Sequence, residues 1–95
     1  MPSVLIVHDV DSYPTWKVVF DGAAEMRRAA GERRYRLLRR DDDPNCVVHL
    51  SEWSSLADAR RFFESPELVD VRRRAGVHAP TFLYLDEIER GVLSG

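Results

Sequence analysis

Two short runs of this chain, Val4–Val7 and Val47–Leu50, are apolar on both sides of an extended backbone. Alternate residues of a strand point to opposite faces, so each run calls for cover above and below. In the first, Leu5 and Val7 alternate with Val4, Ile6 and His8; in the second, Val48 and Leu50 alternate with Val47, His49 and Trp53. The rest of the sequence offers only two helical stretches to provide that cover.

The first stretch runs from Thr15 to Ala30, where Trp16, Val19, Phe20, Ala23, Met26 and Ala30 recur at helical spacing and Gly31 ends the pattern. Asp11, Ser12 and Pro14 supply its start signals. Arg33–Arg40 reads as a strand with charged flanks, which suits a sheet edge, and residues 41–45 form a turn by composition. Cys46–Trp53 is the third strand. Leu56, Ala59, Phe62 and Phe63 make the stripe of the second helical stretch, which Ser65 and Pro66 restart and Leu68, Val71 and Ala75 carry to Gly76. Thr81–Ile88 closes the pattern as the last strand, ahead of a short frayed tail.

The order is β-α-β-β-α-β, and right-handed crossovers turn it into an α+β, ferredoxin-like plait with both helical units on one sheet face. Residues 1–95 then form a single domain. The second apolar face needs another cover, and a second copy of the same sheet is the simplest one. The expectation is therefore a homodimer with facing sheets and a cavity between them.

Composition narrows the function classes. The 95 residues are 44% hydrophobic and 32% charged, with a net charge of −2, so there is no overall attraction to nucleic acid or an anionic membrane. Arginine clusters at 33–40, 60–61 and 72–74 lack the aromatic strand signature of RNA-binding plaits. A single cysteine, Cys46, points to a reducing cytoplasm, and neither a signal peptide nor a membrane span is legible. No Cys-x-x-Cys, phosphate-binding glycine loop or nucleophile elbow occurs. Three histidines and one cysteine without close ligand spacing give no metal site.

What remains is the chemistry of His49 and His8. Strand spacing puts His49 and Trp53 on one side of the sheet, taken here as the side the helices leave open. An imidazole in such a cavity has the side-chain pKa nearest neutrality and could take a phenolic or enolic proton. His8, on a neighbouring strand, follows the same logic as a base or oxyanion partner. Trp53, Trp16, Phe62, Tyr84 and Tyr35 are the candidate walls and hydrogen-bond donors around an aromatic ligand. Each also has a plain structural reading, as core packing or as a histidine satisfied within the interface.

The segments HDVDSYPTWKVVFD at 8–21, DDPNCVVHLSEW at 42–53 and ARRFFESPEL at 59–68 resemble the dimeric α/β-barrel superfamily, specifically the small antibiotic-biosynthesis-monooxygenase-like proteins. The resemblance covers nearly the whole chain and implies a ferredoxin-like plait forming a dimeric α/β barrel. It implies cofactor-independent oxidation of an aromatic polyketide-like or quinol-like molecule, with polyketide-type cyclisation or non-catalytic ligand binding as alternatives. His8 stands where these oxygenases often have a polar residue near the end of the first strand, and Trp53 matches a Trp often found at the end of the third. A helix histidine and a Ser-Pro-His segment of many relatives are replaced by Phe62 and Glu67, which argues against haem ligation.

Overall fold

The computed structural model describes residues 1–94, the Ala79 side chain excepted. Four strands, β1 (Ser3–Val10), β2 (Glu32–Arg40), β3 (Asp43–Trp53) and β4 (Val77–Leu85), form one sheet in the order β2-β3-β1-β4. Every neighbouring pair is antiparallel. The connections carry α1 (Tyr13–Gly22) and α2 (Ala24–Ala30) after β1, then α3 (Leu56–Phe63) and α4 (Pro66–Arg74) after β3. This is the α+β ferredoxin-like plait, with β1 and β3 central and the arginine-rich β2 at an edge.

Four local departures from the sequence pattern have physical causes. The first helix is two pieces, because the chain leaves helical geometry at Ala23 just after the poor helix former Gly22. β3 begins at Asp43, so most of the expected turn at 41–45 is already strand. β4 starts at Val77 and ends at Leu85, four residues earlier than expected at its start and three earlier at its end. Pro80 sits inside it, which an edge strand tolerates because an outward-facing N–H need not be donated. Ser65 precedes α4 without capping it: its hydroxyl donates instead to the Phe62 carbonyl at 2.8 Å. Gly31 does end α2, at φ 130°, and a Cβ there would lie 2.5 Å from Ser54 Oγ.

The pleat sorts the central strands into two faces. Val4, Ile6, His8 and Val10 of β1 and Val47, His49, Ser51 and Trp53 of β3 are buried under the helices. Here the sequence expectation is corrected: His49 and Trp53 do share a face, but it is the helix-covered one. Trp53 is fully buried against Phe62 and Phe63 of α3, and its indole N–H donates to Ser51 Oγ at 2.8 Å. Only the helix side provides that depth of aromatic cover. The opposite face carries the smaller aliphatics, in cross-strand rows Leu38–Val48–Val7 and Leu50–Leu5–Leu83. It is partly exposed, with Leu38 at 44% and Leu83 at 45%.

Candidate functional site

Beneath the helices the core divides into two hydrophobic clusters. One gathers Val4, Ile6, Trp53, Ala59, Phe62, Phe63 and Leu68; the other gathers Val10, Trp16, Phe20, Val47 and Ala75. A cavity of about 60 Å³ lies on the seam between them, walled by Trp16 and Phe20 on one side and Phe62 and Leu68 on the other. His8, His49, Arg27 and Arg72 are its polar lining. This histidine-lined cavity lies between sheet and helices, so His8 and His49 do not face the open sheet side to which the sequence reading assigned them.

His8 and His49 meet there because of register. His8 pairs with Val47, and His49 with Ile6, so the two imidazoles are diagonal neighbours on one face of the central strand pair. Beside His8 the β1–β4 register slips by one residue, between Val7↔Thr81 and Asp9↔His78. Irregularities of this kind bend a strand locally and re-aim its side chains.

The two histidines have opposite surroundings. Both ring nitrogens of His8 are buried without a hydrogen-bond partner among the described residues, and its ring packs on Trp16 at 5.2 Å between centroids. Burial, with smaller contributions from His49 and Arg72, lowers its pKa from 6.5 to about 3. His8 is therefore a neutral imidazole at ordinary pH, with one donor and one acceptor both unused. Leaving a buried polar group unpaired costs about 1–3 kcal/mol, so such a group points to a ligand or water that completes it.

His49 is held instead. Its Nε2 lies 2.7 Å from Glu32 Oε2, while Arg27 Nε donates to Glu32 Oε1 at 2.6 Å. All three residues are buried. The Arg27 guanidinium also donates to the Phe20 carbonyl, close to the helix break, and stacks 3.6 Å from the centroid of the Phe20 ring. A buried ion pair is tolerable when each partner is fully bonded, and removing one member typically costs about 3–5 kcal/mol. Phe20 meets the His49 ring edge-on at 5.0 Å, completing a rigid mount.

Of the site residues read from the sequence, His8, His49, Trp16 and Phe62 line the cavity. Trp53 is core, one layer away. Tyr35 is 48% exposed on the edge strand and meets the site through its packing on Phe20, His49 and the Arg27 guanidinium. Tyr84 lies outside the lining, under the Arg60 guanidinium at 4.1 Å. Arg27 and Glu32 were missed. Their signal was present: Arg27 falls on the Trp16–Phe20–Ala23–Ala30 stripe, and a charge in an apolar stripe requires a buried counter-charge.

The model of the antibiotic biosynthesis monooxygenase family matches residues 15–74. SnoaB, a cofactor-independent oxygenase from Streptomyces nogalater, is similar in structure at TM-score 0.76 and 18% identity, over 94% of each chain. Rv0793 from Mycobacterium tuberculosis is similar at TM-score 0.62 and 24% identity, over 94% of this chain and all of the other. At such identities these likenesses bear on the fold alone. No curated protein matches the chain significantly. The family match spans most of the chain, from α1 to the end of α4, and includes α1, β3 and α3 around the cavity: the chain belongs to the antibiotic biosynthesis monooxygenase family.

Proposed function

We propose that this protein oxidises a small quinol-like aromatic molecule with dioxygen, without a cofactor, and that His49 is the base. The observation that carries the reading is His8, whose two buried ring nitrogens lack partners among the described residues, beside a second imidazole in an aromatic-walled cavity. A neutral His8 can donate to one substrate oxygen, while His49 removes the proton of a hydroxyl or activated C–H group. The resulting electron-rich anion reduces dioxygen by one electron. The substrate radical and superoxide combine at carbon, and the hydroperoxide loses water to leave a carbonyl. One oxygen atom stays as the carbonyl and the other leaves as water with the two hydrogens of the carbon centre, whose four-electron oxidation matches the four-electron reduction of dioxygen.

Cavity size bears on the substrate. Typical ligand pockets enclose roughly 300–1,000 Å³, against about 60 Å³ here. A cavity of about 150 Å³ is what takes a benzene ring, so even a single ring must push Phe62, Leu68 or Arg72 aside, and a fused polyketide would have to displace them further. The open face supports a homodimer as part of the same reading, since its two aliphatic rows each run in register across three strands and together reach all four.

Three measurements test this reading. An oxygen electrode with a panel of single-ring quinols should record uptake matched to product, reduced about 10²- to 10⁴-fold by His49→Ala. Product without oxygen uptake would mean a proton-transfer reaction such as cyclisation, and unchanged turnover in His49→Ala would remove His49 as base. Sedimentation at micromolar concentration should give a dimer that Leu50→Glu converts to a monomer; a monomeric wild type would contradict the sheet-to-sheet pairing.

The third concerns His8. Its folded pKa of about 3 lies below the unfolded value of 6.5, so between these values the unfolded chain holds the extra proton. The contribution of His8 to stability is complete above about pH 6.5 and declines as pH falls toward 3, by at most about 1.4 kcal/mol per pH unit. Urea unfolding should therefore weaken less in His8→Asn than in wild type between about pH 7.5 and about pH 5. Equal losses would mean that His8 is not held neutral.

A further inference from the structure

The geometry points to Glu32, with Arg27 behind it, as the positioning residue that fixes His49 in its Nε2–H tautomer and so makes Nδ1 the atom that takes the substrate proton. A carboxylate can only accept hydrogen bonds. With Glu32 Oε2 at 2.7 Å, the His49 Nε2 must carry a hydrogen and donate it. Arg27 occupies the other carboxylate oxygen at 2.6 Å and is a permanent cation, so Glu32 serves as its counter-ion. Among the described residues, the hydrogen bond of the His49 ring runs to Glu32 from Nε2, which leaves Nδ1 for a ligand in the cavity.

The three side chains come from α2, β2 and β3, and each is anchored separately. Arg27 is tied to the Phe20 carbonyl and ring, Glu32 begins β2 opposite Trp53, and His49 is paired with Ile6 and Leu37 in the centre of the sheet. A carboxylate that orients an imidazole also stabilises the imidazolium formed when the ring accepts a proton. Glu32 touches no substrate in this arrangement and acts only through His49. The catalytic part of this inference rests on the reading of His49 as base; the tautomer does not.

Ring ¹⁵N spectra of the imidazoles test it in the resting protein, independently of any substrate. With the rings neutral, at a pH beyond which the spectra no longer change, His49 should show a protonated Nε2 and a lone-pair Nδ1. A resting His49 in the opposite tautomer, or averaging between the two, would overturn the inference even if the protein proved to be an oxygenase. Glu32→Gln places an amide that can donate to Nε2, and should switch or mix the tautomers; Glu32→Asp should keep the wild-type pattern in part. If the single Gln variant does not fold around an unpaired Arg27, the Arg27→Gln/Glu32→Gln double variant removes both charges and should give the same spectral change. With a quinol that the wild type oxidises, Glu32→Gln should lower kcat about 10- to 100-fold with little change in KM, and unchanged kcat with an altered tautomer would overturn the positioning role.

Discussion

The pleat of β1 and β3 sets the terms for everything else in this molecule. It turns His8 and His49 toward the helices, into the same layer as Trp16, Phe20 and Phe62. An imidazole in that layer cannot rely on water, so its hydrogen bonds must come from the protein or from a guest. The two rings resolve this differently. His49 has the Glu32 carboxylate, backed by Arg27, whereas His8 has no protein partner among the described residues. One firmly held ring beside one uncommitted ring is an arrangement suited to moving a proton.

The same constraint explains why the core is split. Residues that would join the two hydrophobic clusters across the central strands are here the two histidines, and the helical walls above them come from separate units. The break at Ala23 belongs to this picture. It lets α2 start afresh, and the Arg27 side chain it carries reaches back to the Phe20 carbonyl near the break and across to Glu32.

Much of the fold was legible because its signals are local. The stripe of Leu56, Ala59, Phe62 and Phe63, the stop at Gly31 and the charged edge strand β2 each follow from residue type and spacing. Two faces of similar hydrophobicity were distinguishable only by size. The large rings Trp53 and Phe82 went to the helix side and the aliphatics Leu5, Val48 and Leu83 to the open side, a choice made by packing partners distant in sequence. The facing of His8, His49 and Trp53 depended on that choice, so they were assigned to the wrong side of the sheet. His8 and His49 were identified as residues, but their difference was not, since it comes from Glu32, 17 positions before His49, and from the absence of any such partner for His8 among the described residues. Trp53 matched a familiar position and turned out to support the site from the core.

The central claim is that the space between His8 and His49 receives an ionisable aromatic ring. Imidazole NMR signals followed during titration with a simple hydroquinone, under argon to prevent turnover, test it directly. His78 serves as the internal control, because it is exposed and paired with Asp11 at 2.6 Å on the far side of the β1–β4 pair from His8. The account predicts that the His8 and His49 signals move together and saturate while those of His78 stay in place. Movement confined to His78, or no change in the buried pair at millimolar hydroquinone, would contradict it.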